Sequence, residues 1–481
     1  MFFEPPNLTK IFNQLITDGA KNIVSDKDFL QNEIAKWKTS LKRVEQITGD
    51  RYYKGLHDIL MKKRTAIGQG GSLIEVENLP NAKILDNQYE KAVTQKVSFL
   101  VGQPITFKTD NEKYSELLAQ IFDNNFLRMF KALTTDSLNG GIAWLYVYYD
   151  DEGQLCFKRF APFEILPFWK DSEHTKLDYA VRVFEVTEYR NGKEVQIEKV
   201  EIYKADGIEY YTLNNGILIP DIEKPKENYI QVNKIGYNWT KIPVIPFKYN
   251  YMEIPVIRNT KSLQDGINTM LSNFQNNMEE DVRNTIFVLK NYDGENLGEF
   301  RQNLATYGAV KFFNDGGLDT LSVEVNSENY KAIIDLFKKE LVANAKSYDA
   351  AELRAGNTPN EMNIKSIFND INMDANAMEI EFEASFETLL WFVDMHLANT
   401  GQGNFEDEKV QVIFNKDTIV NESQVIQDIK NSVGLISQET LVANHPWVEN
   451  IQDELKKIKA EKEQETEAYI NVENLQTKPE E

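Results

Sequence analysis

A histidine beside an aspartate is the pair in this sequence whose side chains could perform acid–base chemistry. His57 and Asp58 lie in the segment Tyr52–Ile59, which reads Tyr-Tyr-Lys-Gly-Leu-His-Asp-Ile. A histidine next to a carboxylate can act as a general base. However, no nucleophile and no second carboxylate lies at a spacing that is typical of a catalytic site. We therefore expect a structural role for this pair and no catalytic residue in the chain.

The sequence gives little indication of a metal site or of a phosphate-binding loop. Glu279, Glu280 and Asp281 form an acidic run that could attract a cation, but such a run on a helix is usually a solvated face. The glycine-rich stretch 68–71 lacks the lysine of a phosphate-binding GxxxxGKS or GxxxxGKT loop. One cysteine and four histidines leave little material for a metal site. The sequence therefore predicts neither a metal nor a cofactor.

The charge balance is strongly acidic, with 75 Asp and Glu against 53 Lys and Arg and a formal net charge of −22. Nucleic-acid binding rests largely on Lys and Arg that neutralise phosphates, so this balance argues against a protein that wraps DNA with a basic face. An acidic surface would instead let DNA slide past without holding it. No run of about 18 apolar residues is present, so we expect no membrane-spanning segment. The N-terminus does not read as a signal peptide. The single cysteine, Cys156, permits no disulfide within the chain, which fits synthesis in a reducing cytoplasm.

The first half of the chain is predicted to combine helices with a β-rich region. Apolar residues spaced by three and four predict helices over Phe29–Ile47 and Asn87–Leu100, and one or two more within Leu117–Ser137. Aromatic and β-branched runs at 144–149 and 155–160 predict a hairpin. Further strands are predicted over 179–189, 195–203, 208–213 and 217–219. The fold class is therefore α+β, mainly helical.

Long helices dominate the second half of the chain. Two of them, Arg258–Arg283 and Ser327–Tyr348, flank a small α/β insert, and each carries an apolar stripe. The first stripe runs through Leu263, Ile267, Met270, Leu271, Phe274, Met278 and Val282. A breaker-rich segment follows, and then one helix over Ile364–Leu397, which would be about 50 Å long. Since a small domain cannot cover so long a stripe, we expect neighbouring copies of the chain to cover it in a closed cyclic assembly.

The C-terminal region is predicted to hold a strand over 410–414 and short helices over 421–431, 438–443 and 450–460. Trp447 follows a His-Pro pair and is interpreted as filling a gap in the core, with contact to a partner as the alternative. Beyond Glu461 the tail is polar and charged, which is typical of disordered segments.

Four stretches, in order along the chain, resemble the SPP1-type portal proteins of tailed phages from Gram-positive hosts. Arg51–Ile59 is similar to the family's Tyr-Tyr-x-Gly-x-His-x-Ile segment, and Asn87–Ile105 is similar to its tyrosine- and lysine-containing helix that ends in Gly-x-Pro. The other two are the helix–insert–helix of Arg258–Tyr348 and the His-Pro-Trp-Val segment at 445–448. One departure is Phe99, where the family commonly has tyrosine.

The resemblance implies a portal fold with a wing, a stem, a clip and a crown. It assigns 1–257 to the wing, 258–283 and 327–348 to two stem helices, 284–326 to the clip, 349–363 to a tunnel loop, 364–415 to a long wing helix and strand, 416–460 to the crown and 461–481 to a disordered tail. It further implies a non-enzymatic ring, a dodecamer, at one capsid vertex of the virion, through which double-stranded DNA is packaged and ejected. The implied partners are the terminase, head-completion or adaptor proteins, the scaffold and the major capsid protein, with assembly in the host cytoplasm and no membrane.

Two sets of residues are candidate functional sites within this resemblance. The candidates for the DNA channel are Arg354, Gly356, Asn357 and Lys365. The two basic residues would touch phosphates, which carry no sequence information, and the other two would let the loop change shape. The candidates for docking the terminase or an adaptor are Asp293, Glu295 and Glu299. Two other function classes stay open: a scaffold or adaptor without a channel, and a nuclease that uses carboxylate-bound Mg²⁺.

Overall fold

The computed structural model describes residues 26–67, 72–76, 79–190, 192–224, 226–232, 235–281, 286–290, 317–321, 327–349, 366–416, 422–448 and 454–462. The chain forms two compact units. The larger one comprises residues up to 350 together with 368–417, and the smaller one comprises 351–367 with 418–481. No helix among the described residues is both long enough and apolar enough to cross a membrane.

The helices of these ranges, in chain order, are α1 (Asp26–Lys38), α2 (Leu41–Tyr53), α3 (Gln88–Val101), α4 (Glu112–Ile121), α5 (Asn124–Gly140), α6 (Val256–Asp281), α7 (Ser327–Asn344), α8 (Asn369–Asn399), α9 (Glu422–Ser432) and α10 (Gln438–Ala443). Residues 454–462 are also helical. Asn87, Asn111 and Asp123 cap α3, α4 and α5, because each side chain accepts a hydrogen bond from the backbone N–H three residues later. Side-chain caps thus set boundaries that apolar periodicity leaves open.

The single helix predicted over Phe29–Ile47 is wrong, because the structure has α1 and α2 there. The backbone is extended at Ser40, with φ −67° and ψ 146°, and the Ser40 side chain accepts a hydrogen bond from the Arg43 N–H at 3.3 Å. A serine in this position is a favoured N-cap, so a new helix begins inside an uninterrupted apolar pattern.

The strands of the described ranges are β1 (Thr65–Ile67), β2 (Leu73–Glu75), β3 (Thr106–Lys108), β4 (Ile142–Tyr149), β5 (Leu155–Phe160), β6 (Ile165–Trp169), β7 (Leu177–Arg190), β8 (Lys193–Lys204), β9 (Gly207–Asn214), β10 (Ile217–Pro220), β11 (Ile230–Val232), β12 (Ile235–Tyr237), β13 (Val244–Lys248), β14 (Ile286–Lys290), β15 (Gly317–Leu321) and β16 (Gln411–Ile413). A five-stranded sheet has the order β10-β9-β8-β7-β6, and a three-stranded sheet has the order β13-β4-β5. The hairpin predicted at 144–160 is confirmed, with Trp144 opposite Phe160. Helix α1 covers the larger sheet, where Leu30, Ile34 and Trp37 pack on its valines and isoleucines.

Aromatic side chains from α5, β13 and α8 form the centre of the larger unit. The ring centroid of Phe382 lies 5.7 Å from that of Phe130 and 5.2 Å from that of Phe247. From Ile371 onward, the apolar stripe of α8 is buried: Ile371, Ala375, Met378, Phe382, Phe386, Leu389, Val393 and Leu397. The expectation that neighbouring copies cover this stripe is therefore wrong, because the same chain covers it.

Helices α6 and α7 pack against each other, and β14 and β15 pair antiparallel. The rings of Phe274 and Tyr330 lie 5.3 Å apart. A close approach of the two helices is possible at Gly266, since a Cβ there would lie 2.8 Å from the Phe337 ring. The rest of the predicted α/β insert lies outside the described residues.

In the smaller unit, α9, α10 and the helical residues 454–462 lie where the sequence predicts helices over 421–431, 438–443 and 450–460. The Ser437 side chain caps α10. The interpretation of Trp447 as a core residue is wrong, because 71% of this residue is exposed. The predicted tail beyond residue 462 lies outside the described residues.

Candidate functional site

The residues proposed from the sequence for the DNA channel and for docking all lie outside the described residues. They are Arg354, Gly356, Asn357, Lys365, Asp293, Glu295 and Glu299. The described residues instead show which side chains fix the positions of the three long helices α6, α7 and α8. We treat these side chains as the candidate functional site. It contains a row of polar side chains on α6 and a cluster of buried charges next to α8.

From Thr260 to Asn276, every fourth residue of α6 is polar and buried. These residues, here named the polar row, are Thr260, Gln264, Asn268, Ser272 and Asn276, and none is more than 1% exposed. Residues four apart lie on one face of a helix. Burial of an unpaired polar group is costly, so each member of such a row needs hydrogen-bond partners.

Four members of the polar row bind the segment 82–89, whose backbone runs along α6, whereas the Thr260 hydroxyl donates to the Val256 carbonyl of α6 itself at 2.9 Å. The Asn276 and Ser272 side chains accept hydrogen bonds from the N–H groups of Ala82 at 2.7 Å and Ile84 at 2.9 Å. Asn268 and Gln264 accept from the N–H groups of Asp86 at 3.0 Å and Tyr89 at 2.9 Å. The eight residues from Asn268 to Asn276 rise about 12 Å. The four residues from Ala82 to Asp86 span that distance only in an extended conformation. The row therefore holds an extended segment in a fixed register.

His57 lies beneath the polar row and completes it. Its Nδ1 accepts a hydrogen bond from the Asn268 side-chain amide at 2.8 Å, and its Nε2 donates to the Tyr52 carbonyl at 2.9 Å. The residue is fully buried, and burial lowers the pKa of His57, so the imidazole is neutral with its proton on Nε2. Both ring nitrogens of His57 are thus occupied by structural partners.

Asp58 belongs to a separate charged group on the surface of α6. Lys261 donates to Asp58 at 2.7 Å and to Asp265 at 2.6 Å, Arg51 also pairs with Asp58, and the Tyr52 hydroxyl donates to Asp265 at 2.5 Å. Although partial burial opposes it, hydrogen bonds from Lys261 and Arg51 hold the pKa of Asp58 at about 2. The sequence neighbours His57 and Asp58 thus have separate sets of partners.

A buried ion pair lies where α3, α7 and α8 meet. Lys96 Nζ is 2.6 Å from the Asp374 carboxylate, and the two side chains are 4% and 6% exposed. The Tyr249 hydroxyl lies 3.0 Å from Lys96 Nζ and 2.9 Å from Asp374 Oδ2. Lys96, Tyr249 and Asp374 are here named the ion-pair cluster. Lys96 also donates to the Ala345 carbonyl at 2.6 Å, one residue beyond α7.

The sequence contains a signal for both features. Lys96 shares a predicted helix face with Tyr89, Val93 and Leu100, and a lysine on an apolar face requires a buried partner. Five polar residues spaced by four in α6 form a second periodic pattern beside the apolar stripe. Which backbone segment they bind depends on tertiary contacts that periodicity does not contain.

Of the acidic run at the end of α6, Glu279 is the residue whose side chain the structure describes. Glu279 is exposed and accepts a hydrogen bond from Gln275 at 2.8 Å. No group of three or more His, Cys, Asp or Glu side chains that could hold a metal ion occurs in the part of the chain that the structure describes.

The sequence matches the family described as "Phage portal protein, SPP1 Gp6-like" over residues 30–468. The chain belongs to this family. It is 27% identical over 471 residues to the portal protein of Bacillus phage SPP1, which covers 96% of this chain and 92% of the relative. It is 25% identical over 450 residues to the portal protein of Clostridium phage phiCD119, which covers 88% of this chain and 94% of the relative.

Among solved structures, the neck of an empty GTA particle, computed with C6 symmetry, covers 75% of this chain and 90% of its own chain. Its sequence identity is 10% and its TM-score 0.39, too low to support an argument about the fold. The family match over nearly the whole chain is what confirms the resemblance seen in the sequence. It identifies the function as that of a portal protein, and it places the chain in a structural family of the phage virion.

Proposed function

We propose that copies of the chain assemble into a ring, a dodecamer in the virion, whose central channel passes double-stranded DNA during packaging and ejection. The observation that carries this proposal is the match to the portal family over residues 30–468. The ring stands at one capsid vertex, connects head and tail, and is assembled in the host cytoplasm. It performs no catalysis, so the energy for DNA movement comes from the terminase.

The parts of the subunit follow the assignment that the family resemblance implies. Residues 1–257 and 364–415 form the wing, 258–283 and 327–348 the stem, 284–326 the clip, 349–363 the tunnel loop and 416–460 the crown. The polar row supports this division, because it attaches α6, the first stem helix, to the helical part of the wing.

The burial of α6 and α7 supports contact between neighbouring copies in the stem. In α7, Leu341 is buried but Leu336 is 53% exposed, and Met278 of α6 is 48% exposed. Apolar side chains on paired helices that one chain leaves partly open are suited to burial against the next chain in a ring. This interface takes the role that the sequence interpretation gave to α8.

The channel and docking residues remain those proposed from the sequence. Arg354 and Lys365 make transient phosphate contacts, while Gly356 and Asn357 allow the tunnel loop to change shape. Asp293, Glu295 and Glu299 dock the terminase and then the head-completion or adaptor proteins, while the scaffold and the major capsid protein surround the ring. The net charge of −22 favours a channel wall that does not retain DNA.

Electron microscopy of the purified protein tests the ring directly. The expected result is a closed ring with an opening wide enough for a DNA duplex. A protein that assembles without an opening would instead be a scaffold or adaptor. Incubation of the same sample with plasmid and Mg²⁺ tests for nuclease activity, and plasmid cleavage would contradict the non-enzymatic role.

Charge reversal at Arg354 and Lys365 tests the proposed DNA contacts. The variant Arg354→Glu/Lys365→Glu is expected to form normal rings but to lower the amount of DNA per particle several-fold, because the phosphate contacts become repulsive. The measurement is DNA content of particles from virus that carries the variant gene. The matched control is Lys63→Glu, an exposed lysine of the wing. Unchanged DNA content in the double variant would show that these residues do not contact DNA.

A further inference from the structure

The end of the second stem helix is held by groups from three other parts of the chain. Lys96 of α3 donates to the Ala345 carbonyl at 2.6 Å, and the Ser347 hydroxyl donates to the Gln95 side chain at 2.5 Å. The ring of Tyr348 lies 4.5 Å from that of Phe368, next to the start of α8. The chain thus leaves α7 and enters α8 at one place, and the ion-pair cluster lies there.

Every polar group of the ion-pair cluster has a partner. The three donors of the Lys96 ammonium reach the Asp374 carboxylate, the Tyr249 hydroxyl and the Ala345 carbonyl. Asp374 also accepts from Lys346 Nζ at 3.0 Å, and Lys346 has a left-handed backbone with φ 50°. Burial lowers the pKa of Lys96, and the neighbouring Asp374 carboxylate opposes that shift.

Stability alone does not account for such a cluster. Removing two charges from water costs more than most buried pairs regain, and apolar side chains of similar size are often equally stable. A saturated set of directional bonds instead fixes relative positions, because its members can be satisfied in only one arrangement. Here the positions that are fixed are those of the last residues of α7 and the first turns of α8.

We propose that Lys96, Tyr249 and Asp374 are positioning residues for DNA passage. They fix the end of α7 against the start of α8. They thereby fix both ends of the segment 350–367, which connects the two helices. None of the three contacts DNA. This inference rests on the proposed portal function. It adds that DNA passage requires three residues inside the wing as well as the residues that line the channel.

The test compares ring assembly with DNA packaging in variants of the cluster. Lys96→Met and the double variant Lys96→Met/Asp374→Leu are expected to form rings with the wild-type number of subunits. DNA per particle is expected to fall several-fold. The double variant has no unpaired buried charge, so it separates loss of position from loss of stability. Lys63→Met, which removes an exposed lysine, is the matched control.

Tyr249→Phe keeps the ion pair and removes one hydroxyl, so it tests the inference even if Lys96→Met does not fold. It is expected to form rings with a melting temperature somewhat below that of the wild type, because Lys96 and Asp374 each lose one hydrogen bond, and to lower DNA content measurably. Variant rings that package the wild-type amount of DNA would overturn the inference. If wild-type protein forms no ring or packages no DNA, the proposed function itself fails, which is a distinguishable result.

Discussion

Two long helices of this portal subunit, α8 and α6, have opposite patterns of burial. In α8 the apolar stripe is buried by the same chain, from Ile371 to Leu397. In α6 the polar row is the fully buried side, whereas Ile267 is the one described member of the apolar stripe that is buried. Leu263, Leu271 and Phe274 are half-buried, and Met278 is exposed.

This difference separates a helix that belongs to one subunit from a helix suited to being shared. The side of α8 that is apolar meets aromatic rings of α5 and β13, so α8 is a core helix. The side of α6 that meets the segment 82–89 is polar and bonded to that extended backbone. The apolar side packs on α7 of the same chain and, as we propose, on the next copy. Apolar periodicity describes both helices equally and does not distinguish these two uses.

The largest effect is expected in the core of α8. Phe386 is fully buried among aromatic rings, and Phe386→Ala should lower the free energy of unfolding by about 4 kcal/mol through lost burial and a cavity. The measurement is denaturant unfolding of the purified protein. Ile380→Ala, on the exposed side of the same helix, should change the value by less than about 0.5 kcal/mol. Similar losses for both variants would contradict the burial of the stripe within one chain.

A smaller but still substantial loss is expected in the polar row of α6. Asn268→Ala leaves the Asp86 N–H and His57 Nδ1 without partners, which should lower the free energy of unfolding by about 3 kcal/mol. Gln275→Ala, an exposed position on the same helix, is the control and should be nearly neutral. Hydrogen exchange should also become faster at Ala82, Ile84 and Asp86. Unchanged exchange there would show that the row does not hold the segment.

The smallest effect on folding is expected on the open side of the helix pair. Leu336 of α7 is 53% exposed, so Leu336→Asp should change the free energy of unfolding of the subunit by less than about 0.5 kcal/mol. The same change should weaken ring assembly, because it places a charge at the proposed contact between copies. Sedimentation over a range of concentrations measures this. Ring assembly equal to that of the wild type would remove α7 from the interface.

The sequence allows much of the architecture to be predicted, and its failures have identifiable causes. Strand alternation and turn residues predict the hairpin at 144–160 and the strands between 179 and 219. Apolar spacing predicts most of the helices. The break at Ser40 was missed because a cap can interrupt a helix without interrupting its apolar pattern. The sequence does not show that the apolar stripe of α8 is buried within its own chain, because the side chains that bury it come from segments distant in sequence.

The support of α6 could be predicted only in part. A polar residue at every fourth position indicates a second functional face, and Lys96 on an apolar face indicates a buried partner. Neither pattern names the partner, since Ala82 and Asp374 lie 194 and 278 residues away from Asn276 and Lys96 along the chain. Contacts across such separations are fixed by the fold as a whole.

A reconstruction of the purified protein by electron microscopy tests most directly whether α6 and α7 contact the neighbouring copy in a ring. We predict a ring with a central opening in which the apolar sides of these helices are covered by the neighbouring copy, while the stripe of α8 stays inside its own subunit. A monomer at every concentration and salt, or a ring in which Leu271 and Leu336 face open solvent, would contradict it.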